Sequence, residues 1–167
     1  MSVQAYIGIG SNLGDRLGVC RAALDRLARL PDTVVTRVSP FMESEPREGV
    51  EGGPFLNAVA EIATSLSPRQ LLDHLQHIEA VSGRPVGHEP RSARTLDLDI
   101  VLYGDLVTRE PDLVIPHPRM THRRFVLAPL VAIAPGACHP LLGVTAQELL
   151  RRLGSGTSTS SLVGLPG

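Results

Sequence analysis

The stretch TLDLDIVLYG, residues 95–104, alternates one kind of residue with another at almost every step, the two-residue period of a strand buried on one face. The alternation predicts Leu96, Leu98, Ile100 and Leu102 on one face and Asp97 and Asp99 on the other. FLNAVAEIAT, residues 55–64, behaves in the same way: Leu56, Ala58, Ala60 and Ile62 share one face, while Phe55, Asn57, Val59 and Glu61 share the other. Between these strands, Ser67, Pro68 and Gln70 form a capping-box start for a helix carrying Leu71, Leu72, Leu75 and Ile78, ended by Gly83. Upstream lie a strand at 3–9, a helix with the stripe Leu13, Leu17, Cys20, Leu24 and Leu27, and the β-branched run TVVTRV at 33–38. Pro31 and Asp32 end that first helix. The order strand, helix, strand, strand, helix, strand predicts an α+β, ferredoxin-like (split βαβ) plait: an antiparallel sheet with helices on one face. The face bearing Phe55, Asn57, Asp97 and Asp99 is then left open for a ligand.

The rest of the chain adds to this frame. Residues 39–54 are rich in Glu, Gly and Pro without periodicity and read as a long functional loop. GSNLGD, with Gly8, Gly10 and Gly14 nearby, invites a phosphate-loop reading. Its glycines miss the dinucleotide spacing and no lysine follows, so it reads as a tight turn with Ser11 or Asn12 capping the first helix. After Gly104 a hairpin and a short strand ending at Ile115 are expected, then His117 between two prolines, a broken helical stretch at 121–134, and a last helix through Leu153 started by Thr145 and Glu148. A single domain over 1–153 with a flexible, low-complexity C-terminal tail over 154–167 follows.

Composition excludes several classes. A chain of 167 residues with 43% hydrophobic content can bury roughly 70% of its unfolded surface, enough for one core. Its net charge of −1 offers no field for a nucleic-acid backbone, and 3% aromatic residues leave few stacking platforms. All basic residues are Arg, so lysine chemistry is absent. Cys20 and Cys138 stand far apart and read as reduced structural thiols. The N-terminus opens on a short apolar strand, and FVLAPLVAIAPGAC is broken by Pro129 and Pro135 and too short to span a bilayer. No membrane association and a cytoplasmic location are expected.

The chemistry centres on Asp97 and Asp99. Two apart on a strand, their carboxylates project from one face about 6–7 Å apart at the base. At an effective dielectric near 20 their repulsion is roughly 2–3 kcal/mol. A solvated pair, or one paired with Arg91 and Arg94, satisfies that equally well. The arginine-rich loop just before it, GRPVGHEPRSAR from Gly83, favours a metal-polyphosphate complex, with the carboxylates on a divalent cation and guanidinium forks on phosphates.

RTLDLDIVLYG, followed by IPHPRMTHRRFVLAPL, resembles 6-hydroxymethyl-7,8-dihydropterin pyrophosphokinases, as do the opening YIGIGSNLGDR and the central PFLNAVAEI. These four blocks run from Tyr6 to about Pro135 in the family's order and spacing. The resemblance implies transfer of a pyrophosphoryl group from ATP to the pterin hydroxymethyl group, in folate biosynthesis, with two Mg²⁺ ions on Asp97 and Asp99. It implies ATP contacts from Gln76, Glu79, Arg84, Arg94, Ile100, His117 and Arg123, with Arg84 and Arg94 neutralising charge. Pterin contacts are implied for Ser44, Glu45, Phe55, Asn57 and Phe125. The two loops at 43–54 and 83–94 are expected to close over ATP. The chain departs from the family at Met42 and Ser44, where members often carry Tyr and Thr. The loop between Arg84 and Arg94 holds no aromatic lid, and Arg91 is the candidate to stack on the pterin there. ATP and the pterin are the expected partners of a monomer. A non-catalytic small-ligand-binding module on the same plait is the alternative, and an RNA-binding plait lacks the aromatics and the basic face it needs.

Overall fold

Alternation in VQAYIGIGS decides the centre of the sheet. Strand β1, Val3–Ser11, turns Ala5, Ile7 and Ile9 to one side and Tyr6, Gly8 and Gly10 to the other. The computed structural model describes residues 2–12, 15–44, 54–83 and 96–154. In chain order the further elements are α1 (Arg16–Ala28), β2 (Thr33–Val38), β3 (Met42–Ser44), β4 (Phe55–Thr64), α2 (Pro68–Gly83), β5 (Leu96–Tyr103), β6 (Thr108–Glu110) and β7 (Leu113–Ile115). A 3₁₀ turn at Met120–His122, α3 (Arg124–Ile133) and α4 (Ala146–Gly154) complete it. The strand order is β2-β4-β1-β5 with every pair antiparallel, and β3 adds to β4 at the latter's start. β6 and β7 form a separate hairpin. It is tied to the first turn of α2 by Arg69, which donates to Glu110 and Asp112.

One face of the sheet carries the expected core. Cys20, Ala23 and Leu27 of α1 and Leu71, Leu75 and Ile78 of α2 pack on Ala5, Ile7, Ile9, Ala60, Ile62, Leu98 and Ile100. Each leucine or isoleucine side chain among them, removed from water, contributes about 1.5–3 kcal/mol. The box at α2 is reciprocal: Ser67 N–H donates to Gln70 Oε1 at 2.9 Å and Gln70 N–H to Ser67 Oγ at 3.1 Å. The α1 reading needs correction. β1 runs on through Ser11, paired with Leu56 and Leu96, so Ser11 is a strand residue and the cap is Asp15, whose carboxylate accepts from Gly18 N–H at 3.1 Å. With that start the buried stripe is 20, 23 and 27, and Leu17 is left 39% exposed. Leu13 lies outside the described residues.

Two further expectations fail for tertiary reasons. Tyr6 pairs with Leu102 but Ile7 with Ile100, a bulge that inserts Val101 into β5. The inserted residue flips the phase, so Leu102 joins Val101 on the second face, and Tyr103 turns back to donate its hydroxyl to the Leu66 carbonyl. The helices are also not confined to one face. Met120, Leu127, Leu130 and Ile133 with Ala146 and Leu149 of α4 cover Tyr6, Val59, Val101 and Leu102, making a third layer. Beneath it Glu61 is buried, accepting from the Tyr6 hydroxyl at 2.8 Å and the Thr36 hydroxyl at 2.7 Å. Among the described residues, the end of this face that carries Phe55, Asn57, Asp97 and Asp99 lines a pocket. The segment read as one loop at 39–54 contains β3, and its residues 45–53 lie outside the described ones, as do 84–95 and 155–167. Among the described residues no helix is long and apolar enough to cross a membrane.

Candidate active site

Register assembles the site. Gly10 pairs with Asn57 on one side and Asp97 on the other, and Gly8 pairs with Val59 and Asp99, so two glycines form the floor between β4 and β5. An added Cβ on Gly10 would come within 3.0 Å of Asn57 Oδ1 and 3.7 Å of the Phe55 ring, and one on Gly8 within 3.3 Å of Val101. Any larger residue would fill the floor. Gly10, expected in the GSNLGD turn, is thus a strand residue like Gly8, and the phase of YIGIG, with isoleucines to the core, is the signal that places both glycines opposite it.

Asn57 is 4% exposed. Its Nδ2 donates to Ser44 Oγ at 2.8 Å and to the Met42 carbonyl at 3.2 Å, because Met42–Ser44 pairs beside Phe55–Asn57. With both amide protons held by β3, the Asn57 carbonyl oxygen is turned toward the cleft above Gly10. Ser44, Phe55, Asn57, Asp97, Asp99, His117, Arg123 and Phe125 all line this cleft. Phe125 comes from the start of α3, where the Arg123 guanidinium lies 5.5 Å from its ring centroid.

Asp97 and Asp99 also face a more open groove with His117, Arg119 and Arg123. His117 follows the cis Ile115–Pro116 bond and donates its backbone N–H to Val101 O at 3.0 Å. Its Nδ1 accepts from Arg119 N–H at 3.1 Å, so the neutral ring carries its proton on Nε2, 3.9 Å from Asp99 Oδ2. Across β5 lies a second, aliphatic cleft between Leu72, Ile100, Leu113 and Val114, and it too reaches Asp99 and His117. The carboxylate edge is therefore where an aromatic pocket with a fixed amide and an aliphatic cleft meet.

The remaining candidates are placed elsewhere. Gln76 is exposed on α2 and lines neither cleft. Glu79 Oε2 accepts the Leu98 N–H at 2.8 Å, bracing the sheet edge at β5. Glu45, Arg84, Arg91 and Arg94 lie outside the described residues. Among the described residues no three His, Cys, Asp or Glu side chains gather to hold a metal. Two carboxylates do suit Mg²⁺, which is commonly held by one or two carboxylates with substrate phosphates and water completing its shell.

Residues 6–135 match the family of 7,8-dihydro-6-hydroxymethylpterin-pyrophosphokinases (HPPK). The 2-amino-4-hydroxy-6-hydroxymethyldihydropteridine pyrophosphokinase of Pseudomonas aeruginosa is 43% identical over 135 residues, covering 81% of this chain and 83% of that protein. The folic acid synthesis protein fol1 of Schizosaccharomyces pombe is 40% identical over 151 residues, 90% of this chain but 20% of the relative, so the chain spans about a fifth of that longer protein. In shape it is similar to a Plasmodium falciparum HPPK-DHPS crystallised with pteroate, at a TM-score of 0.73 and 14% identity, over 93% of this chain and 43% of the other. The chain belongs to the HPPK family.

Proposed function

We propose that the chain transfers the pyrophosphoryl group of ATP to the hydroxymethyl oxygen of 6-hydroxymethyl-7,8-dihydropterin, a step of folate biosynthesis. The observation that carries this reading is the meeting of two differently built clefts at Asp99 and His117, with Asp97 on the wall of the first. Family membership supports it. The flat, polar-edged pterin suits the pocket between Phe55 and Phe125, with the Asn57 oxygen accepting from a ring N–H and Ser44 and Glu45 flanking it. The adenine suits the aliphatic cleft beside Ile100, with Gln76 and Glu79 on the neighbouring helix face. The polyphosphate then crosses the carboxylate edge, where the His117 Nε2 proton and the Arg123, Arg84 and Arg94 guanidiniums meet its oxygens.

Asp97 and Asp99 would hold two Mg²⁺ ions, which when bound supply charge neutralisation at the attacking and leaving oxygens. The chain itself orients. The hydroxymethyl oxygen bonds to the β-phosphorus as the bond from that phosphorus to the bridging oxygen breaks. AMP departs with the electron pair, and the hydroxyl proton passes to solvent. In-line transfer of this kind depends on positioning and charge more than on covalent chemistry from protein. We read the strand order as the ferredoxin-like plait and the chain as a monomer. A cytoplasmic location agrees with two cysteines that are both free.

The test is to incubate protein, Mg·ATP and the pterin and resolve the nucleotides. Pterin-dependent AMP is expected; ADP as product, or binding without turnover, overturns the proposal.

A further inference from the structure

We propose that Arg16 is a positioning residue for the pterin end of the site, acting through β3 on Asn57. The guanidinium of Arg16, at the first turn of α1, makes two contacts: Nη2 lies 2.6 Å from Glu43 Oε2, and Nη1 donates to the Pro54 carbonyl at 2.9 Å. Glu43 is the middle residue of β3, and Pro54 immediately precedes β4. The fork therefore ties the middle of β3 to the point where the chain enters β4.

β3 has three residues and, among the described residues, pairs with β4 alone. So short a strand, hydrogen-bonded on one side, has little of its own to fix its position. Yet the two shorter of the three hydrogen bonds that orient Asn57 go to the two ends of β3, the Met42 carbonyl and Ser44 Oγ, and only the longest, 3.4 Å to the Phe55 carbonyl, stays within β4. Glu43 sits between them opposite Leu56, so holding Glu43 holds both neighbours in register with Asn57 and Phe55.

An exposed ion pair would contribute little. This one is different in geometry, because the side chains are only 29% and 34% exposed and the second acceptor is a backbone carbonyl on the partner strand's flank. A planar fork can serve both acceptors at once, whereas a lysine ammonium of similar reach is a point charge and satisfies them less well. The inference rests on the reading of the aromatic pocket as the pterin site.

Arg16→Gln, Arg16→Lys, Glu43→Gln and the double variant Arg16→Gln/Glu43→Gln test it, with KM and kcat measured for each substrate and Tm measured alongside. Arg16→Gln is expected to raise the pterin KM about tenfold, the loss of one charged hydrogen bond's worth of orientation, with the ATP KM unchanged. Arg16→Lys should recover part of that, and the double variant should be no worse than Arg16→Gln. An unchanged pterin KM, or a loss shared equally by both substrates and tracking Tm, overturns the proposal. Wild-type protein that releases no AMP would strike the reading of function instead. In that case the Asn57 side-chain amide resonance in NMR still decides: it should move in Arg16→Gln, and a resonance that stays in place refutes the role of Arg16.

Discussion

Gly10 and Asn57 are register partners across β1 and β4, and the space a Cβ on Gly10 would occupy ends 3.0 Å from the Asn57 side-chain oxygen. The missing side chain is what lets Asn57 face a ligand. Gly10 has no positive φ, so the glycine answers to space and not to backbone conformation.

Gly10→Ala should therefore separate activity from stability. The added methyl crowds the Asn57 amide and the Phe55 ring, and pterin-dependent turnover should fall about tenfold or more, since small misplacements in a site of this kind are costly. The thermal midpoint should change little, because the restriction that alanine places on the unfolded chain offsets the crowding at Asn57. A paired measurement of kcat/KM and Tm checks this; equal activity, or a collapse of Tm, contradicts it.

Asp97→Ala and Asp99→Ala should each lower turnover by about a hundredfold or more, the scale of losing a group that holds charge at the transition state. Both variants should keep the wild-type far-ultraviolet circular dichroism, because the two carboxylates stand at the cleft and not in the apolar core. Chelation should behave in the same way: excess EDTA should abolish AMP release while far-ultraviolet circular dichroism stays unchanged, as a metal shared with substrate phosphates is no part of the core. Unfolding on chelation would contradict the assignment.

His139 predicts a pH effect on stability. It is buried, its Nδ1 accepts N–H groups from Leu141 and Leu142 at 3.2 Å each, and burial holds its pKa below the ordinary histidine value. The unfolded chain binds that proton at about pH 6.5, so the stability is present above this pH and is lost as pH falls through the depressed folded value. Between about pH 7.5 and about pH 5, wild-type Tm should fall more steeply than that of His139→Asn, whose oxygen accepts the same donors without titrating. Parallel slopes would contradict it.

Leu75→Ala, in the fully buried centre of α2, should cost about 2–5 kcal/mol, whereas Leu17→Ala should lie within about 0.5 kcal/mol of wild type. Urea denaturation at matched m-values distinguishes the two. Similar losses would mean that Leu17 is part of the core.

Much of this was legible in the residues. The alternation of 55–64 put Asn57 and Phe55 on one face, that of 95–100 put Asp97 and Asp99 on one face, and Ser67 and Gln70 marked the start of α2, all because strand and helix periods and caps are set within a few bonds of the chain. What could not be read was longer in range. Val101 enters as a bulge only because β1 pairs beyond it, so Leu102 changed faces. Met42–Ser44 is a strand only because β4 offers it an edge. α3, apolar around much of its surface, gave no sign of which layer it would join, and it closes most of the second face.

The sequence by itself determined that Phe55 shares a face with Asn57 and Asp97 with Asp99, and that Ser67 and Gln70 begin α2, since these follow from backbone geometry repeated locally. Only the tertiary structure decided that Asn57, Gly10 and Asp97 stand in one row across three strands, and that His117 comes to face Asp99. Pairing between strands far apart in the chain fixes that row, and its register depends on how all the apolar faces are buried together.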